Sequence, residues 1–285
     1  MLDTAPPKIY VSKVPDAETT SIPSDAVELT SGVDGYMVNS SIDGLARPDA
    51  EIARSALAGA DASRISGRQI PYRNIVLDII PMPEINTNRE RLYNILPYGE
   101  TLRFYFEKRG KIVFIDGEIE KMDGTFAPGK LFRFGVSIIC QSPWFQSVKL
   151  HTAQLKLGDN IIHNEGDIPS GFRLEVEGHA NMVQLVDFKL NSGGETLATK
   201  ADTPVLAPVE LITIPGKRTF KCSNSGHTST GTWKPSFSYL AANTKWPKIP
   251  GGTQTINVSY TEGGVNPYIF DNLNTLYWRD TYSGV

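Results

Sequence analysis

The sequence predicts a mainly β protein organised as two β-rich domains. Three observations lead there. Apolar residues recur with a period of two along much of the 285-residue chain, the alternation of half-buried strands. Turn residues interrupt these runs at short intervals. One stretch stands out with a clear helical stripe. Many short strands between frequent turns are the pattern of sandwiches and barrels. The length allows one large domain or two ordinary ones of about 100–200 residues.

The elements follow in chain order. Ala50–Ala62 is alanine-rich and has helix propensity. Ile75–Ile80 is apolar at nearly every position, as expected of a strand buried on both faces. Thr87 precedes Glu90 by three residues, the spacing of a capping box. Leu92, Ile95 and Leu96 then form a helical stripe, and Pro97 and Gly99 end it. Leu102–Phe106 alternates as a strand, and Ile112–Ile115 is apolar on both faces. Asp116-Gly117, Asp123-Gly124 and Pro128-Gly129 read as turns. The clearest strand is Leu131–Cys140, with Phe132, Phe134, Val136, Ile138 and Cys140 on one face. The organisation breaks between residues 147 and 160, which gives domains at 1–147 and 148–285. Strands resume at Phe172–Glu177, Val209–Ile214 and Thr255–Tyr260, with turns at Asn191-Ser-Gly-Gly194, Pro215-Gly216 and Pro250-Gly-Gly252.

Composition narrows the function. Lys and Arg number 28 against 31 Asp and Glu, a net charge of −3, which argues against gripping phosphate backbones by bulk charge. Two distant cysteines, Cys140 and Cys222, make no disulfide framework and read as buried thiols. No apolar run approaches the roughly 18 residues of a membrane span. The N-terminal residues lack the pattern of a secretory signal, so the expected place of synthesis and assembly is a cytoplasm.

Candidate chemistry is sparse. Gly124-Thr-Phe-Ala-Pro-Gly-Lys130 has the spacing of a phosphate-binding loop. Leu131 stands where the Mg²⁺-binding Ser or Thr belongs, and a strand follows instead of a helix, so it reads as a hairpin loop. Asp116, Glu118 and Glu120 share one side of a strand. Paired carboxylates can cleave glycosides, but a charge row on a strand is also an ordinary solvated or partner-facing surface. His151, His163, His179 and His227 have no metal-ligand spacing, and no nucleophile elbow is present. No catalytic set, metal site or cofactor site is assigned. Trp233, Tyr239 and Trp246 lie in a turn-rich stretch, where aromatics stack on sugars or proteins or simply fill a core. These features leave open a carbohydrate-binding or glycan-cleaving two-domain β protein.

The order of the motifs resembles the distal tail proteins of long-tailed, siphovirus-type bacteriophages. It is carried by Ile42-Asp-Gly-Leu-Ala-Arg-Pro48, Gly59-Ala-Asp-Ala-Ser63 and Arg73-Asn-Ile-Val-Leu-Asp-Ile79. Arg89–Gly99 with the strand at Leu102–Phe106 follows, then the acidic strand Gly117-Glu-Ile-Glu120. Cys140-Gln-Ser-Pro-Trp-Phe145, Asn164-Glu-Gly-Asp-Ile-Pro169 and Tyr282-Ser-Gly-Val285 complete it. Residues 40–175 carry it well; the first 35 residues and 195–250 depart from the pattern.

The resemblance implies a structural, non-enzymatic virion protein of the tail tip or baseplate, assembled in the host cytoplasm. Its first domain is then a ring-forming belt sandwich with one short helix and a protruding hairpin, and its second a galectin-like sandwich. It implies a homohexameric ring between the tail tube protein and the baseplate hub or tail-associated protein. The second domain of relatives holds receptor-binding proteins or touches cell-surface carbohydrate. It implies that Ala50–Ala62 is an extended arm rather than a helix. The genome passes through the ring without specific binding; six chains at −3 sum to about −18, which discourages DNA from adhering. Asp116, Glu118, Glu120, Arg89 and Arg91 are the expected ring contacts, as are the loop Asp49–Arg64 and the Asp116–Met122 hairpin. Trp233, Tyr239 and Trp246 are the expected carbohydrate or protein contacts.

Overall fold

The computed structural model describes residues 6–16, 18–39, 42–56, 63–82, 84–125, 132–176, 184–201, 205–206, 208–214, 217–222, 236–262 and 274–285. The chain divides into two compact units, Met1–Lys149 with Tyr282–Val285, and Leu150–Thr281. The second unit is thus inserted, in sequence, into the first.

The first unit contains β1 (Lys8–Lys13), β2 (Val27–Glu28), β3 (Tyr36–Val38), β4 (Glu51–Ala56), β5 (Ser63–Gln69) and β6 (Arg73–Pro81). Then come α1 (Ile85–Ile95), β7 (Thr101–Lys108), β8 (Lys111–Thr125), β9 (Arg133–Cys140) and β10 (Phe145–Ser147). Seven strands follow the order β2-β1-β7-β8-β9-β6-β3 in one nine-stranded sheet. Period-two burial decides which face is the core. Leu102, Phe104 and Phe106 of β7 point the same way as Phe134, Val136, Ile138 and Cys140 of β9, and all are buried. Leu92 and Leu96 of α1 join that cluster. Tyr105 and Phe114 point oppositely and form a small second cluster with Val148, so Ile112–Ile115 does lie between two apolar layers. β6 does not: Ile75, Leu77 and Ile79 are buried, while Val76 is 36% exposed.

Two local expectations need correction, and a third holds. Asp116-Gly117 and Asp123-Gly124 are not turns, since both lie within β8. Gly117 is there for space: a Cβ would fall 2.7 Å from Ile138 Cγ2 and 2.9 Å from Cys140 Sγ. The real reversal is Arg109-Gly110, both at positive φ, a two-residue loop closing the Lys108↔Lys111 pair. The helix starts at Ile85, with Glu84 at the cap and no side-chain cap bond. Thr87 is therefore inside it, and no capping box forms. Of Ala50–Ala62, the described part is extended as the resemblance implied: β4 covers Glu51–Ala56, and 57–62 lie outside the described residues. Pairing with β5 outweighs a helix preference worth only fractions of a kcal/mol per residue.

A buried arginine ties the first unit together. Arg73 is 2% exposed. Its Nε donates to Pro143 O at 2.8 Å, and its Nη1 to Gly44 O and, at 2.7 Å, to Ala46 O. Its Nη2 donates to Ser283 O at 2.6 Å. The guanidinium lies 4.4 Å from the Phe145 ring centroid. β21 (Thr281–Tyr282) pairs with β10 beside it.

The second unit is a two-sheet sandwich. One sheet orders β11 (His151–Gln154), β20 (Asn274–Trp278), β13 (Phe172–Val176), β17 (Val209–Ile212) and β18 (Thr219–Cys222). The other orders β12 (Gly158–Asn164), β19 (Gly252–Glu262), β14 (Gln184–Ser192) and β15 (Glu195–Ala198), with β16 (Val205–Leu206) also on β14. Phe172, Leu174, Leu211, Phe220 and Leu276 face Phe188, Leu190, Leu197, Ile256 and Val258 in one core. Gly193 and Gly194, both at positive φ, close the β14–β15 hairpin where the sequence placed a turn. Asn164 is fully buried; its Nδ2 donates to Ile249 O at 2.8 Å and its Oδ1 accepts from Gly166 N at 3.0 Å.

Candidate functional site

The outer face of the nine-stranded sheet carries the acidic row. Ile115 and Ile119 of β8 enter the core, so Asp116, Glu118 and Glu120 point to the opposite face. Each is held by a neighbouring strand. Arg103 of β7 grips Asp116 bidentately, at 2.6 and 2.9 Å, and lies 4.0 Å from the Phe114 ring centroid. Burial works against the Arg103 charge, but the bond to Asp116 and its charge outweigh burial and raise the guanidinium pKa. Thr101 Oγ1 donates to Glu118 at 3.2 Å. Ser137 Oγ of β9 lies 2.7 Å from Glu120 Oε2 and 3.0 Å from Asn74 Oδ1. Farther along, Arg133 pairs with Asp78 at 3.3 Å. The row is a cross-strand network, in which one strand's carboxylates meet donors on the next.

The helix residues lie elsewhere. α1 packs its leucines on the core face, so Arg89 and Arg91 and the acidic row sit on opposite sides of the sheet. Arg89 is half-buried. Arg91 is exposed and donates to Asp34 O at 3.3 Å. Tyr93 stands edge-on to Phe134 with centroids 5.6 Å apart, and the Tyr98 hydroxyl accepts from Met122 N at 3.1 Å. Both tyrosines are exposed, and sequence reasoning missed both. The β4–β5 hairpin forms a two-stranded sheet of its own. Its register sets Ile52 opposite Arg68 and Arg54 opposite Ile65, and both isoleucines are exposed.

In the second unit, Trp233 lies outside the described residues. Tyr239 and Trp246 are half-buried against the core. Phe237, unnoticed in the sequence, is 49% exposed and stands edge-on to Trp246 at 6.1 Å. His151 Nε2 lies 2.8 Å from Asp280 Oδ2, and its ring stacks on Trp278. His163 Nδ1 lies 3.2 Å from Thr253 Oγ1. His179, His227 and residues 126–130 of the GxxxxGK stretch lie outside the described residues. Among the described residues, no group of three or more His, Cys, Asp or Glu could hold a metal, and no helix is long and apolar enough to cross a membrane. Both cysteines are buried, and burial pushes the Cys140 thiol up to about 12.

No protein-family model matches the sequence, and no curated protein matches it. Solved structures do. The Dit protein of phage SPP1, described as a paradigm of the hub adsorption apparatus in phages infecting Gram-positive bacteria, aligns with a TM-score of 0.60. It is 12% identical, and the alignment covers 90% of this chain and 96% of that one. The chain has the distal tail protein fold. Two structures of the phage P2 baseplate in its activated conformation, with Ca and with Sr, align at TM-scores of 0.47 and 0.48. Each is 10% identical over 98% of this chain and 99% of that chain. The motifs that resemble distal tail proteins sit at joints of this fold. Gly44 and Ala46, Arg73, Pro143 and Ser283 come from four of them and meet at one guanidinium.

Proposed function

We propose that this chain is a structural subunit of a phage tail tip. Six copies close into a ring between the tail tube protein and the baseplate hub, and the genome passes through the channel. One observation carries the reading: a fold shared with SPP1 Dit over nearly the full length of both chains. The bonding of Asp116, Glu118 and Glu120 within the sheet supports a surface role for the acidic row.

The ring contacts in this proposal come from the first unit. A ring needs a heterologous contact, in which two unlike patches of one subunit meet their counterparts on the next. Asp116, Glu118 and Glu120 form one patch, and Arg89 and Arg91 on the far side of the sheet form the other. The β4–β5 hairpin adds exposed Ile52 and Ile65. A two-stranded hairpin is marginal in water without something to pack on, so a neighbouring subunit is the natural support. The second unit, with Phe237, Tyr239 and Trp246 on its surface, docks host-recognition components.

Light scattering on a sizing column, with negative-stain images of the same peak, tests the reading. The expected particle is a ring, or a pair of rings, built from six subunits of 31.3 kDa. Glu118→Lys with Glu120→Lys should open the ring and leave each unit folded. A folded monomer that binds a glycan array and loses binding on Trp246→Ala would overturn it.

A further inference from the structure

Among the described residues β12 is an open edge, paired with β19 alone. Natural sheets blunt their edges with short strands, charged side chains, prolines or bulges; the β4–β5 hairpin, open on both sides, carries a bulge at Ala53/Arg54, and the other edges of the larger sheets are short or charged. β2 has two residues, β3 three and β16 two. β11 and β15 have four each, and β18 has four including Lys221. β8 beyond Glu118 lacks β7 beside it, but there it carries Lys121, a bulge and the Tyr98 hydroxyl on Met122 N. β12 has seven residues in unbroken register with β19, and no lysine or proline. Ile161 at its centre is 77% exposed, and Leu157 just before it is 51% exposed.

The strand is complementary to itself. Lay a second copy antiparallel along the free edge, with Ile161 opposite Ile161. Asp159 then faces His163, twice, and Asn160 faces Ile162. Residues of like orientation meet, so the backbone ladder continues in phase. Asp159, Ile161 and His163 are all exposed on the outer face. Asp159 Oδ1 already accepts from Asn257 Nδ2 at 2.7 Å, which leaves Oδ2 for the partner. His163 engages Thr253 through Nδ1, which leaves Nε2. An apolar pair on the axis flanked by acid–imidazole pairs is the signature of an isologous contact.

We propose that two copies of this chain join through β12, as an antiparallel pair centred on Ile161, so that their sheets become one. The contact is separate from the ring contacts of the first unit and does not depend on them. Sedimentation equilibrium of the full chain over a concentration series tests it. The wild type should show twice the mass of Ile161→Lys where the first unit is monomeric, and at least twice where it forms rings. Asp159→Lys sets lysine against histidine, and His163→Asp sets acid against acid; each should weaken pairing about tenfold. Combining Asp159→Lys with His163→Asp sets a lysine of one copy against an aspartate of the other and should recover most of the loss. Thermal melts at concentrations too low for pairing should leave every variant folded with a cooperative transition close to the wild type's, because the three positions are exposed. Equal masses for wild type and Ile161→Lys would overturn the proposal and leave the edge to a strand of another protein. A double variant no stronger than the singles would also overturn it.

Discussion

Replacing Arg73 with methionine should unfold the first unit selectively. The substitution keeps an apolar stem but removes the donors that serve Gly44 O, Ala46 O, Pro143 O and Ser283 O. A buried acceptor that loses its donor costs about 1 kcal/mol or more, so four cost at least about 4 kcal/mol. Loss of the contact with the Phe145 ring adds about 1 kcal/mol. Against this, the wild type buries a cation held by carbonyl dipoles and one ring face, with no counter-charge among its hydrogen bonds, and removing it returns part of the desolvation cost. Burial already pulls the Arg73 pKa down to about 10. The net expectation is a loss of about 3 kcal/mol. Arg73→Lys should be no milder, since one ammonium cannot reach four carbonyls on three segments. Urea unfolding followed by fluorescence and far-UV circular dichroism should show two transitions, one per unit. Trp144, beside Pro143, is the only tryptophan of the first unit and reports on its transition. Deleting residues 282–285 removes one acceptor and Tyr282 and should shift the same transition the same way. A loss under about 1 kcal/mol, or a shift confined to the second unit's transition, would refute the reasoning.

Other expectations follow from the same geometry. Gly117→Val drives side-chain atoms into Ile138 and Cys140 and should cost the first unit about 1–3 kcal/mol, read as a lower midpoint in the same titration. Asn164→Ala removes one of the two donors to Ile249 O and leaves Gly166 N without its acceptor and should cost the second unit about 1–3 kcal/mol, with the first unit's transition unmoved. Alkaline stability should carry a mark of Cys140. Its folded pKa of about 12 lies above the ordinary value of 9.0 because the thiol is buried, so its contribution is full below pH 9 and falls as pH rises towards 12. The slope is at most about 1.4 kcal/mol per pH unit. Cys140→Ala should flatten stability between pH 9 and 10, compared with the wild type at matched pH.

Strands buried on one face were plain in the sequence, because burial of alternate residues writes itself into composition. β9 and β7 show this, and so does the β14–β15 turn, whose two glycines both sit at positive φ. Gly117 misled for a physical reason. A glycine can serve a turn or make room, and the room it makes here is for Ile138 and Cys140, a whole strand later in the chain. Arg109-Gly110 carries the true reversal, yet the charged residues around it lack the usual Asn or Asp signal. The shared face of Asp116, Glu118 and Glu120 followed from i, i+2 spacing alone. Their partners Arg103, Thr101 and Ser137 did not, since cross-strand register is a property of the folded sheet. The separation of that row from Arg89 and Arg91 was equally hidden, because it depends on which side of the sheet the helix packs. Arg73 read as an ordinary strand-opening residue. Its importance lies in carbonyls, which no side-chain pattern records.

The insertion of one unit within the other sets a schedule for synthesis. Ser283 follows the whole second unit in the chain, yet its carbonyl completes the shell around Arg73. On the ribosome, the second unit has its last strand before the first unit has its last acceptor. The first unit must therefore wait, partly closed, while about 130 residues fold downstream of it. A polypeptide released early lacks Tyr282–Val285 and cannot finish the clasp. Assembly then draws on chains that were translated through to that point, and incomplete products are left to proteases.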